Sequence, residues 1–155
     1  MTHAACDHRR RRLNQWMLAT TTLALAGAAR ATPAQMDAAI KAFTGGATPS
    51  AGRVTLEVAQ LVDNGNAVPV TVRVASPMSA ADHVTEIALF NERNPHSDIA
   101  RFTLGARAGK AEVATRIRMA TSQKLVAVAR LSDGSFWSGA ADVIVTLAAC
   151  IEGEG

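Results

Sequence analysis

One thiol near the C-terminal end of the sequence is the side chain best suited to covalent chemistry. Cys150 is preceded by two small residues, Ala148 and Ala149, and followed by the β-branched Ile151. A thiolate is a nucleophile that forms covalent bonds to other sulfur atoms by exchange. The second cysteine of the sequence, Cys6, lies in a segment that we expect to be removed. Cys150 is therefore the candidate functional residue.

The remaining polar residues do not combine into an active site. His83 and His96 are far from Cys150 in the sequence, and both are predicted to be surface residues beside turns. Neither histidine has the spacing from the cysteine that zinc ligands have. Glu86 and Glu92 are isolated rather than arranged as an acid–base pair. We therefore predict no catalytic residue, no metal and no cofactor, and a protein that is not an enzyme.

Residues 1–31 are predicted to be a removable signal peptide. The positive run Arg9–Arg12 precedes an apolar run, Trp16–Ala29, and Ala31 completes a small-x-small pattern of the kind that signal peptidases cleave. The apolar run is shorter than the ~20 residues that a transmembrane helix needs. We expect cleavage after Ala31, a periplasmic location and a mature protein without a membrane span.

The residues around Arg10 and Arg11 indicate the export route. An Arg-Arg-x-Leu sequence ends at Leu13, and the apolar run is only moderately hydrophobic, which is typical of twin-arginine signals. An ordinary secretory leader with an arginine cluster is the alternative. Removal of the leader takes Cys6 with it, so Cys150 is left without an intramolecular partner in an oxidising compartment.

Charge and composition argue against a nucleic-acid partner. The chain of 155 residues carries a formal net charge of +3, but five of its 16 basic and one of its 13 acidic residues lie in residues 1–31. The remaining 11 basic and 12 acidic residues give a net charge of −1. Aromatic residues make up 4% of the chain, too few for a base-stacking surface. Arg116 and Arg118 share a strand face that could bind an anion or a partner, although a solvated face is the simpler interpretation.

One short helix is predicted at the start of the mature chain. Thr32 and Pro33 suit the N-cap and the first helical position, and apolar residues recur at helical spacing as far as Phe43. We therefore expect a helix over Pro33–Phe43, followed by a loop over Ala47–Gly52.

Beyond residue 53 the sequence has the two-residue period of β-strands. Alternation and short apolar runs predict strands over Val54–Val58, Val68–Val74, Val84–Phe90, Ile99–Leu104, Val113–Met119, Lys124–Leu131 and Ala141–Leu147. Turn residues separate the strands, and Asp133-Gly134 has the chemistry of a hairpin turn. Pro69 inside a strand indicates an edge or a bulge.

About seven short strands without long helices predict an all-β protein, an immunoglobulin-like antiparallel β-sandwich. We expect residues 32–147 to form this sandwich and its preceding helix as one domain. Residues 148–155 would form a C-terminal arm that is expected to be mobile.

The chain resembles the SoxY family of sulfur-carrier proteins over nearly its whole length. The leader, the short helix and the terminal cysteine arm are part of this resemblance. So are five internal segments, Gly65–Val70, Ser76-Pro77-Met78, Ile87–Pro95, Ala120–Gln123 and Ser132–Trp137. The Asn-Pro segment and the cysteine arm together are its most specific features.

The resemblance implies a covalent carrier that does not itself catalyse. Cys150 would hold thiosulfate, polysulfane and sulfonate groups while partner enzymes act on them. The implied partners are a SoxZ-like subunit in a heterodimer, a SoxAX-like haem enzyme that conjugates the substrate, a SoxB-like hydrolase that releases sulfate and, in some systems, a sulfane dehydrogenase. No cofactor is implied beyond the cysteine-bound sulfur intermediates.

The arm departs from the family's usual Gly-Gly-Cys-Gly-Gly ending. Ala148, Ala149 and Ile151 restrict the backbone where glycine would leave it free, so a narrow channel that accepts a glycine arm admits this one less readily. The carboxylates of Glu152 and Glu154 disfavour a thiolate nearby, so rapid reaction requires a partner that supplies positive charge.

Two further expectations concern binding. The SoxZ-like subunit is expected on the exposed faces of the strands around Phe136-Trp137 and of the final strand, since an unpaired edge favours pairing. The alternative function is a non-catalytic periplasmic β-sandwich interaction module, in which Cys150 is incidental or forms an intermolecular disulfide.

Overall fold

The computed structural model describes residues 31–147, which form a two-sheet β-sandwich with one helix. The elements are α1 (Pro33–Thr44), β1 (Ser50–Ala51), β2 (Val54–Glu57), β3 (Leu61–Asn64), β4 (Val68–Val74), β5 (Val84–Asn91), β6 (Asp98–Thr103), a single 3-10 turn (Ala106–Ala108), β7 (Glu112–Ile117), β8 (Gln123–Leu131) and β9 (Phe136–Leu147).

Helix α1 begins as the sequence predicts, with Thr32 as its N-cap and Pro33 in its first turn. The Gln35 amide donates to the Thr32 hydroxyl at 3.3 Å, and the Thr32 amide donates to the Gln35 side chain at 3.0 Å. This reciprocal pair is a capping box. The helix ends at Thr44, and the C-cap Gly45 has a φ of 64°, the left-handed conformation that glycine adopts without strain. No helix among residues 31–147 is long and apolar enough to cross a bilayer.

The two sheets enclose one apolar core. The larger sheet has the strand order β1-β9-β8-β5-β6, with β3 also beside β9, and the smaller sheet has the order β2-β4-β7. Alternate residues of the strands face inward, so the core contains Val68, Val70 and Val72 from β4 opposite Ile87 and Leu89 from β5. This burial is the main favourable term for the fold.

Helix α1 covers part of the outer face of the larger sheet. Met36 is buried against β5 and β8, and the Phe43 ring lies 5.9 Å from the Phe90 ring and 5.8 Å from the Phe136 ring, edge to face in both cases. Ala88 and Phe90 are therefore fully buried although they point away from the sandwich core. We call Ala88, Phe90, Val128 and Phe136 the helix-covered cluster.

The sandwich prediction is confirmed, with nine strands instead of about seven. The predicted hairpin at Asp133-Gly134 joins β8 to β9, and β9 begins at Phe136 rather than at Ala141. The predicted loop Ala47–Gly52 is wrong where it includes β1. Both added strands, β1 and β3, are short and pair in parallel with β9, so no alternation over a long run marks them.

The expectation that the final strand is an unpaired edge is wrong. Strand β9 pairs with β8 on one side and with β1 and β3 on the other. Between these two contacts β2 approaches so closely that a Cβ atom at Gly139 would collide with the Val54 carbonyl. Pro69 is on β4, the central strand of the smaller sheet. Strand β2 ends opposite Thr71, however, so at Pro69 strand β4 pairs with β7 on one side only.

Candidate functional site

The chain leaves the described fold at the end of β9, three residues before the candidate cysteine. Pairing of β9 with β8 stops at Val143, which is opposite Gln123. The last four residues, Ile144–Leu147, continue beside β3, with Leu61 opposite Ile144 and Asn64 opposite Leu147. We call this parallel pair, Leu61–Asn64 with Ile144–Leu147, the arm root.

Side chains and loops hold the arm root from both sides. The Val145 amide donates to the Ser122 hydroxyl at 2.9 Å, which replaces the missing bond from β8. On the other side the Thr146 hydroxyl donates to the Asp63 carbonyl at 3.0 Å, and the Gly65 amide donates to the Leu147 carbonyl at 2.8 Å. The backbone is therefore fixed as far as the last described residue.

The turn after β3 ties the arm root to the loop before β8. The Met119 amide donates to the Gly65 carbonyl at 2.8 Å, and the Asn66 amide donates to the Asn64 side chain at 2.8 Å. Met119 is fully buried. One buried residue, Gly65, thus connects the end of β9 with the segment that carries Ser122.

A network of amide side chains rigidifies the neighbouring loop. Asn94 accepts from the Ala120 amide at 2.9 Å and from the Gln123 side chain at 2.8 Å. Its own side-chain NH₂ donates to the Arg118 carbonyl at 2.7 Å. Asn91 is fully buried and accepts from the Asn94 amide at 2.8 Å. Three segments quoted for the family resemblance therefore meet at this end of the molecule.

Most of the sequence-predicted site residues lie outside the described residues 31–147. These are Cys150, Ala148, Ala149, Ile151, Arg10 and Arg11. The predicted cleavage residue, Ala31, is described; it is buried, and its amide donates to the Asn94 carbonyl at 2.8 Å. This bond ties the residue before the helix N-cap to the loop that supports the arm root, and cleavage after Ala31 would remove it.

The histidines and arginines considered in the sequence do not assemble into a centre. The His83 ring contacts the Ser79 carbonyl at 3.0 Å. His96 and Arg118 instead border a shallow surface hollow beside Asn94. Arg116 lines a separate depression on β4 and β7. Within residues 31–147, no group of three or more His, Cys, Asp or Glu side chains is placed to hold a metal ion.

Two charged groups with shifted pKa values lie away from the arm root. The Ser135 hydroxyl and amide lower the pKa of Asp133 by donating to its carboxylate in the β8–β9 turn. Glu57 and Glu112 raise the pKa of Arg73 on the outer face of the smaller sheet, where Arg73 bonds to both. Both side chains are exposed, and their bonds are local contacts within the fold.

Sequence reasoning missed the residues that fix the arm root. Ser122, Asn94 and Gly65 all occur in segments quoted for the resemblance, but their contacts join residues that are far apart in the sequence. Ser122 and Val145 are 23 residues apart, and Asn94 and Ala120 are 26 apart. Leu61 was not assigned to a strand, because only four residues of β3 pair with β9.

Comparison with known proteins places these features in context. A family model described as "Sulfur oxidation protein SoxY" matches residues 40–150, a range that ends at the candidate cysteine. The solved sulfur carrier protein SoxY from Chlorobium limicola f thiosulfatophilum is 28% identical, with a TM-score of 0.62, over 72% of this chain and 92% of that chain. No curated protein sequence matches the chain.

More distant solved structures share the fold alone. A superoxide reductase (neelaredoxin) from Ignicoccus hospitalis is 17% identical, with a TM-score of 0.54, over 61% of this chain and 80% of that one. The superoxide reductase from Nanoarchaeum equitans is 14% identical, with a TM-score of 0.52, over 62% of this chain and 100% of that one. Identities this low carry no argument about chemistry.

Proposed function

Because the chain belongs to the SoxY family of sulfur oxidation proteins, we propose that it is a carrier that holds sulfur intermediates covalently on Cys150. The observation that carries this proposal is the family match, which runs from the helix to the cysteine itself. The likeness to a sulfur carrier protein supports the same role. The anchored arm root supports it as well, because hydrogen bonds fix the end of β9, from which the segment that carries the thiol continues.

Loading the carrier is an oxidation. The Cys150 thiol and thiosulfate form a sulfur–sulfur bond, giving Cys–S–S–SO₃⁻ with release of one proton and two electrons. The haem of a SoxAX-like partner would accept the electrons. The chain's own part is to present the thiol.

Unloading begins with hydrolysis of the terminal sulfonate. Water adds to the sulfonate sulfur in a SoxB-like partner, the outer sulfur–sulfur bond breaks, and sulfate leaves while a persulfide stays on Cys150. A sulfane dehydrogenase would oxidise the sulfur that remains. Each step takes place in another protein, so the carrier is a substrate of these enzymes and not a catalyst.

Compartment and assembly form part of the proposal. Export by the leader of residues 1–31 would place the carrier in the periplasm, where a lone thiol would form disulfides unless it is occupied or enclosed. A SoxZ-like subunit would complete a heterodimer. The described residues offer it the outer strands β6 and β7, since β9 is paired on both sides.

The test is thiosulfate oxidation by the reconstituted system, with the full mature chain as the varied component. Cys150→Ser should abolish thiosulfate-dependent electron transfer, because the acceptor atom for sulfur is gone. The matched control is Cys6→Ser in the precursor, which removes the other cysteine and should leave the activity of the exported protein unchanged. Undiminished oxidation with Cys150→Ser would refute the carrier role and favour an interaction module.

A further inference from the structure

Exposed apolar side chains are concentrated at the arm root. Among residues 31–147, the exposed large apolar residues are Leu61, Ile144 and Leu147, at 60%, 59% and 63% of full exposure. Leu61 and Ile144 are directly opposite each other on β3 and β9. Since paired residues of parallel strands point to the same side, these two form one apolar surface. We call Leu61 and Ile144 the arm-root patch; Leu147, three residues after Ile144, points to the opposite face of β9.

The arm-root patch is on the same side of the larger sheet as helix α1 but beyond it. Val62 and Val145, the neighbours of Leu61 and Ile144, pack against the sandwich core, so Leu61 and Ile144 face outward. The helix lies over Val128, which is fully buried, and Val126, which is partly buried, whereas Ile144 on the same face is exposed. The fold therefore leaves the patch to solvent while covering the adjoining apolar surface.

The distance from the patch to the thiol is short. Cys150 is the third residue after the end of β9, so its sulfur stays within about 15 Å of Leu147. Ile144 is about 10 Å back along the strand from Leu147, and Leu61 is about 5 Å to its side. A globular enzyme of even 100 residues has a radius of gyration of ~13 Å. Any enzyme that encloses the sulfur must therefore approach this patch.

We propose that the arm-root patch is the docking surface for the enzymes that act on the cysteine arm. This inference rests on the proposed function, because it requires that Cys150 be delivered into other proteins. The occupant is a transient enzyme partner with an apolar rim around its active-site entrance. Burying exposed apolar area of this kind favours association, and apolar side chains next to a substrate group make the contact specific to the arm.

Charge next to the patch defines the partner further. Asp63 is two residues after Leu61 and Asp142 is two residues before Ile144, so both carboxylates share the outward face. Neither forms an ion pair within residues 31–147, although Lys124 is directly opposite Asp142 on β8 and offsets part of its charge. The enzyme rim should therefore place lysine or arginine side chains around its apolar centre, which also suits the negatively charged adduct.

The experiment separates docking from loading. Mature protein is loaded with tetrathionate, whose central sulfur is attacked by the Cys150 thiolate to give Cys–S–S–SO₃⁻ and free thiosulfate. Intact mass verifies the adduct, and sulfate release by the cognate hydrolase is then measured against carrier concentration. The variants are Leu61→Ser and Ile144→Asp, with Ala81→Asp as the matched control. Ala81 is exposed in the turn before β5, where Val84 pairs with Leu131 at the end of β8 opposite to the arm root, so the control adds the same charge away from the arm and from β6 and β7.

We expect both patch variants to load as the wild type does and to raise KM about tenfold or more, with kcat within twofold. A tenfold change corresponds to ~1.4 kcal/mol of lost docking. The control should match the wild type in both constants. Equal KM values for patch variants and wild type would overturn the docking surface and leave the carrier role intact.

Other occupants give different results. If Ile144→Asp no longer forms a heterodimer with the SoxZ-like subunit in light scattering, the permanent subunit occupies the patch and the proposal is wrong. It is equally wrong if the wild-type chain alone is a dimer that Ile144→Asp converts to a monomer. A loaded wild type that the hydrolase does not turn over would refute the proposed function and, with it, this surface.

Discussion

The outer face of the larger sheet contains two apolar regions, one buried under the helix and one exposed to solvent. The helix-covered cluster is closed by Met36 and Phe43 of α1, and Phe90 within it is fully buried. The arm-root patch lies on the same face of that sheet and remains exposed. Because burying apolar area is favourable, the first region contributes to folding, whereas the second is available for binding. We therefore expect the helix-covered cluster to determine stability and the arm-root patch to determine recognition.

The largest expected effect on the free energy of unfolding is for a substitution in the helix-covered cluster. Phe90→Ala should lower the free energy of unfolding by about 3–5 kcal/mol, because it removes a fully buried ring and its edge-to-face contact with Phe43. Ile144→Ala, the matched change on the exposed side, should alter it by less than about 0.5 kcal/mol. Urea unfolding measures both. Comparable losses would erase the distinction between the two regions.

A smaller loss is expected in the loop that supports the arm root. Asn91→Ala should cost about 2 kcal/mol, because it removes a buried amide and leaves the Asn94 N–H and the His96 carbonyl without their bonds to it. The control Asn66→Ala changes an exposed turn residue and should be nearly neutral. A neutral Asn91→Ala in thermal unfolding would mean that this loop does not brace the exposed region.

Ser122→Ala tests the arm root itself with little global effect. The Val145 amide would lose its acceptor, so its hydrogen exchange should become faster while global stability falls by about 1 kcal/mol or less. Ser122→Thr keeps the hydroxyl and should restore slow exchange. Unchanged exchange at Val145 in the alanine variant would show that β3 alone holds the end of β9.

The smallest effect is expected at the opposite end of β9. The pKa of Asp133 is lowered by Ser135, so the ionised carboxylate stabilises the turn above the unfolded pKa of 3.8, and this contribution is lost as pH falls through the lower folded value. Asp133→Asn should therefore cause a small decrease in Tm at pH 7 that shrinks below about pH 4. A Tm difference that does not depend on pH would contradict this assignment.

The sequence predicts regular elements better than the contacts between them. Val68–Val74 is found as predicted, because strict alternation reports one buried face, and Thr32 caps the helix as expected. The strands β1 and β3 are too short for a period to be visible, and pairing with β9 alone makes them strands. The same pairing explains why β9 is not an edge.

The site was predictable in its chemistry but not in its supporting structure. A thiol can be identified from residue type, whereas the bond from Val145 to Ser122 depends on two segments meeting in space. Likewise, Leu61 and Ile144 are ordinary apolar residues in the sequence. Their exposure follows from the position of the helix, which packs on β5 and β8 and meets β9 at Phe136, the end of that strand far from Ile144.

The most direct measurement is intact-mass spectrometry of the mature protein recovered from cells oxidising thiosulfate, before and after reduction. The carrier role predicts mass increments of sulfur and of sulfur with a sulfonate group. Reductant should remove them, and peptide mapping should place them on Cys150. A thiol that is unmodified during active oxidation, or found only as a disulfide-linked dimer, would contradict the carrier role.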